Sequence, residues 1–318
     1  MDIMKAVITS CYGSEDVLSI GNIDKPNIND NEILIKVHAC SVNPIDWKLR
    51  GGHMKIMSGL KPPKVLGGDF AGVVEEIGKK ITHFNIGDEV WGQRNASIGG
   101  SYAEFIKVEE NNISLKPKNF DFNQAASIPL AGLTAYQSLV YKGKVKSGDK
   151  ILINGSSGGV GTIAIQIGKN LGCHVTGVCS TNNIELAKNL GCDKVIDYKN
   201  EDVLKLNDKF DAIFDFVGNL SLATAKHILK STGVFTTAVP SVSLFMFGGL
   251  LNKFKSQKAE GILINSSRKN LDAMRKMAEE NKLVPTIEKV YPLDQVQEAH
   301  KKSESGRVVG KVIMSVID

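Results

Sequence analysis

The chain has 318 residues, of which 42% are hydrophobic and 23% are charged, and its formal net charge is +5 at pH 7. This length accommodates two domains, and this composition is that of an ordinary globular protein. Because the positive charge is spread along the chain, a nucleic-acid partner is not predicted. The longest apolar stretch, Leu244 to Leu251, is far too short to cross a bilayer, so no membrane partner is predicted either. This stretch is interpreted as an apolar lid over substrate or as a subunit contact.

The cysteines favour a reducing compartment. They are odd in number and show no C-x-x-C spacing: Cys11, Cys40, Cys173, Cys179 and Cys192. Reduced thiols fit this pattern better than disulfides or a metal cluster. No signal peptide is recognised, because the first five residues run directly into a strand-like segment. A cytoplasmic location is therefore predicted.

The first 120 residues predict an antiparallel, barrel-like β domain. Short strand-like segments, such as Ile33–His38, Gly72–Gly78 and Gly87–Gly92, alternate with turns rich in Gly, Asn and Pro. Many short strands with this punctuation are typical of closed antiparallel sheets.

From Asp121 onward, strands and helices alternate. A helical stretch from Ala125 to Tyr141 comes first, with Pro129 near its start, where proline is best tolerated. The later predicted elements are strands at 151–154, 174–179, 194–197, 211–216, 233–238 and 261–264, with helices at 159–171, 183–190, 221–230 and about 267–281. Alternation of this kind predicts a parallel sheet with helices on both faces. The tail from Gly306 to Val316 is strand-like, and composition leaves open which domain takes it.

A glycine-rich turn is the most informative motif. The β-branched run at 150–154 leads into a turn that contains Gly155, Gly158, Gly159 and Gly161, and apolar residues at helical spacing follow. Glycines remove the side chains that would keep a pyrophosphate away from backbone N–H groups and a helix N-terminus. A strand before the turn and a helix after it are the context that this motif requires. The turn predicts dinucleotide binding, and an ordinary strand-to-helix turn is the alternative.

The residues after the second strand of this unit bear on the choice of cofactor. An Asp or Glu about 20 residues past the glycine turn usually holds the ribose 2′-OH of NAD. Ser180 lies 19 residues after Gly161, and the segment from Val178 to Asn183 contains no acid. Since hydroxyls and amides accept a 2′-phosphate that a carboxylate would repel, NADPH is favoured over NADH. The same segment would also cap the helix that begins at Ile184.

Further motifs give the chain a family resemblance. They are Ser41–Lys48, Leu66–Val74, Ile86–Val90, Ile128–Ala135, the glycine turn and Val195–Lys199. With them the chain resembles a medium-chain dehydrogenase/reductase of the zinc-free quinone oxidoreductase (zeta-crystallin-like) branch. Within that branch it is most similar to the chloroplast-type quinone oxidoreductase homologues and the alkenal/enone oxidoreductases.

The resemblance implies an α/β fold of two domains. A GroES-like β-barrel domain would comprise residues 1–122 and 267–318. A Rossmann NADP-binding domain, with a doubly wound parallel sheet, would comprise residues 123–266. The nicotinamide would lie in the cleft, and homodimers would pair through Rossmann sheet edges near Gly261 to Ile264.

The resemblance also assigns residues by position. Those assigned to the cofactor are Asn43, Lys48, Thr134, Ser157, Gly158, Gly159, Val160, Gly161, Ser180, Thr181, Asn182, Asn183, Tyr198, Val217 and Lys311. Close relatives tend to carry a basic residue where this chain has Asn182. Asn43 and Lys48 are also the candidates for positioning the reactants. Two alternatives stay open, since Asn43 would equally stabilise the turn before Pro44 and Lys48 would equally lie on the surface.

A metal is not predicted. Zinc alcohol dehydrogenases of the same superfamily need a Cys, a His and a second Cys as ligands. Asn43 stands where the first cysteine would be, Gly68-Asp69 replaces the His-Glu pair, and the segment around Ala131 offers no cysteine.

Without a Lewis acid, reduction of a plain ketone lacks the stabiliser of the alkoxide charge. Quinones and α,β-unsaturated carbonyls suit such a site better, because conjugation spreads the charge as hydride arrives. The predicted function is NADPH-dependent hydride transfer to a quinone or to the C=C bond of an enone, with the enolate oxygen held by hydrogen-bond donors. The alternatives are a non-catalytic, NADPH-binding protein of crystallin type and, with less support, a zinc alcohol dehydrogenase.

Overall fold

A computed structural model describes residues 2–239, Leu244, Asn252 and residues 256–317. Residues 245–251 of the apolar stretch noted above lie outside these residues. The chain forms two compact units. The first comprises Met1–Leu130, Ser266–Asn281 and Pro285–Asp318, and the second comprises Ala131–Asn265 and Lys282–Val284.

The described strands are numbered in chain order. They are β1 (Ile3–Thr9), β2 (Leu18–Asp24), β3 (Glu32–Val42), β4 (Asp69–Ile77), β5 (Glu89–Gln93), β6 (Phe105–Glu109), β7 (Ile113–Leu115), β8 (Lys150–Asn154), β9 (His174–Cys179), β10 (Lys194–Asp197), β11 (Phe210–Asp215), β12 (Leu229–Thr237), β13 (Lys258–Gly261), β14 (Ile287–Pro292) and β15 (Lys311–Ser315).

The described helices are mostly short. They are α1 (Pro44–Arg50), α2 (Lys55–Ser58), α3 (Phe122–Ala126), α4 (Pro129–Tyr136), α5 (Gly159–Asn170), α6 (Ile184–Asn189), α7 (Leu222–Ala225), α8 (Arg268–Glu279) and α9 (Val296–Glu304). A π-helical turn, Gln137–Lys142, continues α4. Among these described helices none is long and apolar enough to span a bilayer.

The first unit is built around β3. Among the described residues its large sheet has the order β14-β15-β3-β4-β5-β7, with β6 also paired to β3, and β1 and β2 form a separate ribbon. All of these pairs are antiparallel except β14 with β15. Ile33, Ile35 and Val37 of β3 are buried in the core of this unit. Because β15 pairs with β3, the strand-like tail belongs to the first unit.

The second unit is a parallel sheet with the order β10-β9-β8-β11-β12-β13 among the described residues. This is the order of a Rossmann fold, in which the strand sequence reverses between β8 and β11. Ile151, Leu152 and Ile153 of β8 are fully buried, as expected of a strand covered on both faces. The predicted fold class, a GroES-like β domain with a doubly wound parallel sheet, is confirmed.

The unit boundaries differ in detail from the predicted 122/123 and 266/267 divisions. The first unit continues to Leu130, because α3 packs on β3 and β4. Residues 282–284 join the second unit, where the side chain of Gln166 exchanges hydrogen bonds of 2.7 and 2.9 Å with the backbone of Val284.

One predicted helix is wrong in extent. A helix was expected over 221–230, whereas α7 ends at Ala225 and β12 begins at Leu229. Leu229 pairs with Phe210 of β11 and is buried with it, so tertiary burial favours the strand. The carbonyls of Lys226, Leu229 and Lys230 accept hydrogen bonds from the side chain of Gln257 instead of from helix amides.

Candidate functional site

The glycine turn joins β8 to α5 with little free space. Gly155 has a φ of +84°, a conformation that favours glycine. A Cβ atom at Gly161 would lie 2.1 Å from the carbonyl oxygen of Gly155, so only glycine allows the helix to start this close to the turn. The amides of Gly155 and Ser156 donate to the carbonyl of Val178, at 3.2 and 3.0 Å, and thereby fasten the turn to β9.

Helix α5 presents its N-terminus at the carboxyl edge of the sheet. Its first internal hydrogen bond runs from the amide of Thr162 to the carbonyl of Gly158 at 3.0 Å. The amides of Gly159, Val160 and Gly161 therefore precede the helix's own ladder and carry the positive end of its dipole. N-terminal amides of this kind bind phosphate groups, and the glycines at 158, 159 and 161 carry no side chain that would keep a pyrophosphate away.

The residues after β9 reach back to this turn. The side-chain amide of Asn183 donates to the hydroxyls of Ser157, at 3.0 Å, and Ser180, at 3.2 Å. Neither Ser180 nor Asn183 makes a side-chain cap at the helical turn that follows it. The structure thus brings Ser157, Ser180 and Asn183 together, whereas Asn182 is exposed to solvent.

An acidic residue of the neighbouring strand β10 contacts the segment that follows β9. Asp197 ends β10, and its Oδ2 accepts hydrogen bonds from the Thr181 hydroxyl, at 2.6 Å, and the Asn200 amide, at 2.7 Å. Those hydrogen bonds, Thr181's foremost, lower the pKa of Asp197, which is therefore ionised at neutral pH. The segment after β9 carries no acid, but the fold supplies one from β10. Tyr198 follows it and is 58% exposed.

Val217 also lies beside the glycine turn. It follows β11, and its Cγ2 would be 2.8 Å from a Cβ atom at Gly155. Although apolar, Val217 is 54% exposed. Thr134, the remaining candidate of the second unit, is 8% exposed on α4.

The three candidates of the first unit are Asn43, Lys48 and Lys311. Lys311 starts β15, and its ammonium donates to the side-chain carbonyl of Asn43 at 2.5 Å. The amide nitrogen of Asn43 donates in turn to Oδ2 of Asp69 at 2.9 Å. Lys48 lies half-buried on α1, with its Nζ 5.4 Å from the centre of the Trp47 ring. Asn43 and Lys311 are in direct contact.

The Asn43 amide bridges a buried acid and a buried base. Asp69 is fully buried, Lys311 is 5% exposed, and their charged atoms lie 3.8 Å apart. Burial raises the pKa of Asp69 and lowers that of Lys311, and the opposite charge partly offsets each change. Its oxygen faces Lys311 and its nitrogen faces Asp69, so the side chain of Asn43 belongs to this polar cluster, while Asn43 is also the N-cap residue of α1.

A second buried carboxylate closes the start of α1. Oδ2 of Asp46 accepts hydrogen bonds from the Asn43 backbone amide, at 2.8 Å, and from the Tyr102 hydroxyl, at 2.9 Å. Burial raises the pKa of Asp46 from 3.8 to about 7. Its other oxygen has no hydrogen-bond partner among the described residues. Sequence reasoning missed Tyr102, for which no local signal exists, and missed Asp69 as a partner of Asn43.

The donor set of this cluster does not suit a divalent metal. Among the described residues, no group of three or more His, Cys, Asp and Glu side chains is placed to hold a metal ion. The oxygen of Asn43 already accepts from an ammonium group, and a buried cation repels a second one. Burial raises the pKa of the Cys40 thiol well above its usual value, which disfavours the thiolate that zinc requires. Activity without a metal stays a prediction.

Known proteins resemble the chain along nearly its whole length. Residues 29–118 match the family described as "Alcohol dehydrogenase GroES-like domain", and residues 190–314 match "Zinc-binding dehydrogenase". The chain is 36% identical to "NAD(P)H oxidoreductase RTN4IP1, mitochondrial" of Bos taurus, covering 99% of this chain and 90% of that protein. It is 35% identical to "NADPH-dependent alkenal/one oxidoreductase, chloroplastic" of Arabidopsis thaliana, covering 98% and 79%. The solved quinone oxidoreductase from Coxiella burnetii superposes with a TM-score of 0.90 at 35% identity, covering 99% of this chain and all of that one.

Proposed function

Since the chain belongs to the medium-chain dehydrogenase/reductase superfamily, in its quinone oxidoreductase branch, we propose that it is an NADPH-dependent reductase that transfers hydride to a quinone or to the C=C bond of an α,β-unsaturated carbonyl, without a metal ion. It is an oxidoreductase, and it uses a nicotinamide cofactor. The observation that carries the proposal is the glycine turn: Gly158, Gly159 and Gly161 carry no side chains at the N-terminus of α5, and a Cβ atom at Gly161 would lie 2.1 Å from the carbonyl oxygen of Gly155.

When bound, the cofactor supplies the hydride. The chain's own residues bind and orient it. The amides of Gly159, Val160 and Gly161, at the N-terminus of α5, would hold its pyrophosphate. Ser157, joined by Asn183 to Ser180, extends this polar surface toward the adenosine ribose.

NADPH is the proposed cofactor because the residues from Ser180 to Asn183 are uncharged donors and acceptors. The ionised Asp197, hydrogen-bonded to Thr181, opposes a 2′-phosphate there. We therefore propose a modest preference for NADPH over NADH and not an absolute one.

Conjugated acceptors are proposed because the polar cluster of the first unit offers no Lewis acid. Asn43 and Lys311 satisfy each other, with Asp69 as the counter-charge. An acceptor whose own π system spreads the incoming charge needs less help from the protein. The relative from Arabidopsis thaliana, by its name, acts on alkenals and alkenones, and the one from Coxiella burnetii is a quinone oxidoreductase.

A homodimer is proposed through the edge of the parallel sheet. Among the described residues, β13 pairs only with β12, and Leu263 nearby is 59% exposed. A free strand edge favours pairing with a second copy. Light scattering should give twice the chain mass of 34.4 kDa, and Leu263→Asp should shift it toward one chain. A monomeric wild-type protein would contradict this.

The cytoplasmic location stays a prediction, since the relatives named above are mitochondrial and chloroplastic.

The first experiment measures NADPH oxidation by metal-stripped protein with a small enone, a quinone and a saturated ketone in parallel. We expect turnover of the enone or the quinone, slower turnover with NADH, and no turnover of the ketone. Turnover of the ketone that depends on added Zn²⁺ would favour a zinc alcohol dehydrogenase. Tight NADPH binding with no turnover of any acceptor would favour a non-catalytic binding protein.

A further inference from the structure

Asp215 is a buried carboxylate that ends β11 and receives an unusual number of hydrogen bonds. It is fully buried. Backbone amides of the following turn donate to it from Val217, Gly218 and Leu220, at 3.1 to 3.2 Å. The side-chain amide of Asn154 donates to its Oδ1 at 2.8 Å. Three backbone amides of one turn and a side chain of a second strand thus donate to one carboxylate.

The second strand is β8, which Asn154 ends. Strands β8 and β11 are the neighbours between which the strand order of the sheet reverses. In doubly wound sheets, ligands bind in the crevice that opens at the carboxyl ends of these two strands. A further bond, from the amide of Phe216 to the carbonyl of Asn154 at 3.1 Å, closes the same junction. Asp215 therefore joins the two strand ends that border the crevice.

Both loops of the crevice depend on this junction. Asn154 is followed directly by Gly155, the first residue of the glycine turn. Val217 lies two residues after Asp215, and its Cγ2 would be 2.8 Å from a Cβ atom at Gly155. Gly218 comes next, with a φ of +90°, in the turn that the carboxylate holds. Because Val217 is more than half exposed, its position depends on its backbone and not on surrounding side chains.

We propose that Asp215 is a positioning residue for the cofactor. By holding the amides of the 217–220 turn and the side chain of Asn154, it keeps Val217 and the glycine turn in the arrangement that receives the dinucleotide. The two loops then lose their conformational entropy when the protein folds and not when the cofactor binds. Binding is therefore tighter, although Asp215 itself does not contact the cofactor. This inference rests on the proposed function, because it concerns the same dinucleotide site.

The test is Asp215→Asn, with the Kd for NADPH measured by fluorescence at a temperature where the variant is folded. The new amide group would face donors in place of an acceptor oxygen, so the turn loses part of its hydrogen bonding. We expect the Kd to rise about tenfold or more, a range typical of unsatisfied buried donors. In steady-state kinetics, the KM for NADPH should rise while kcat at saturating NADPH stays within about twofold, as expected when binding alone is impaired.

Asp211→Asn is the matched control. Asp211 lies at the other end of the same strand, where it accepts a hydrogen bond from the amide of Lys150, at 2.9 Å, and pairs with Lys230, at 2.7 Å. It ties the starts of β11 and β8 together at the edge away from the crevice. We expect this variant to lower the melting temperature while leaving the Kd for NADPH unchanged.

A milder variant covers the case in which Asp215→Asn does not fold. Asn154→Ala removes the hydrogen bonds that the Asn154 side-chain amide donates to Asp215 and to Asn219, and it should raise the Kd for NADPH about threefold or more, as the loss of net hydrogen bonds implies. An unchanged Kd in the folded variants would overturn the inference. So would an equal rise in Asp211→Asn, because the effect would then follow stability alone. If the wild-type protein does not bind NADPH, the proposed function and this inference both fail.

Discussion

Ionisation of Asp46 should make a large contribution to the pH dependence of the first unit. The carboxyl is fully buried, and burial raises its pKa from 3.8 to about 7. A folded-state pKa above the unfolded one means that the folded state binds the proton more tightly. The stability contributed by Asp46 is therefore fully present below pH 3.8 and is lost as the pH rises through 7.

Asp46→Asn measures this loss, since asparagine resembles the protonated acid and does not ionise. A tenfold change in an equilibrium constant is worth about 1.4 kcal/mol. Raising the pKa from 3.8 to about 7 thus makes ionisation cost about 4 kcal/mol in the folded state. The free energy of unfolding of the variant, minus that of the wild type, should increase by about 4 kcal/mol between pH 4 and pH 8.5.

The free energy of unfolding of Asp46→Asn has to be compared with that of the wild type, because His300 changes the stability with pH in the opposite sense. Burial, with the charge of Arg50, lowers the pKa of His300 from 6.5 to about 3. Its contribution is present above pH 6.5 and is lost as the pH falls toward 3. In the wild type the two slopes oppose each other, whereas Asp46→Asn should show the rise with pH that His300 produces.

The assay is urea unfolding followed by tryptophan fluorescence at pH 4 to 8.5. The chain has two tryptophans, Trp47 and Trp91, and both lie in the first unit. Asp88→Asn is the control, because Asp88 accepts the amide of Asn85 at 2.9 Å in the same three-residue geometry at the surface. This variant shows what the loss of such a contact at the surface does to the free energy of unfolding. A difference between Asp46→Asn and the wild type that does not change with pH would refute the effect of burial on Asp46.

Three further predictions concern the candidate site. Gly161→Ala should abolish NADPH binding measured by fluorescence. Gly158→Ala, whose Cβ would meet its nearest neighbour at 3.5 Å, should leave the protein folded. Retained binding in Gly161→Ala would contradict the close packing of Gly161 on Gly155. Asp197→Asn should raise the ratio of kcat/KM for NADPH to that for NADH, because it removes a negative charge that repels the 2′-phosphate; an unchanged ratio would show that Asp197 does not face the 2′-phosphate. Lys311→Met should lower the free energy of unfolding by about 3 kcal/mol at pH 8, because it leaves Asp69 charged and buried, and adding Asp69→Asn should restore most of it; no recovery in the double variant would refute the pairing.

Features that depend on near neighbours in the chain are the ones that the sequence determined alone. The glycine turn is such a feature, since strand, turn and helix follow one another within 150–170 and the packing of Gly161 on Gly155 is local. The alternation of strands and helices likewise predicted the parallel sheet, because the spacing of apolar residues within each segment indicates whether that segment is a buried strand or a helix. The limit appeared at residues 226–230, where the helical pattern gives way to a turn and then to strand β12, because Leu229 is buried beside Phe210.

The polar partners of the candidate site were decided by tertiary structure. Tyr102 is 56 residues from Asp46, Asn154 is 61 from Asp215, and Thr181 is 16 from Asp197. None of these pairs has a periodicity or spacing that marks it, because hydrogen bonds between distant residues depend on which elements become neighbours. In the second unit, strand order brings Asn154 to Asp215 and Thr181 to Asp197 at the carboxyl ends of the strands. In the first unit, burial raises the pKa of Asp46. Composition and local pattern therefore identify a dinucleotide-binding turn, whereas only the assembled sheets determine which carboxylates face it.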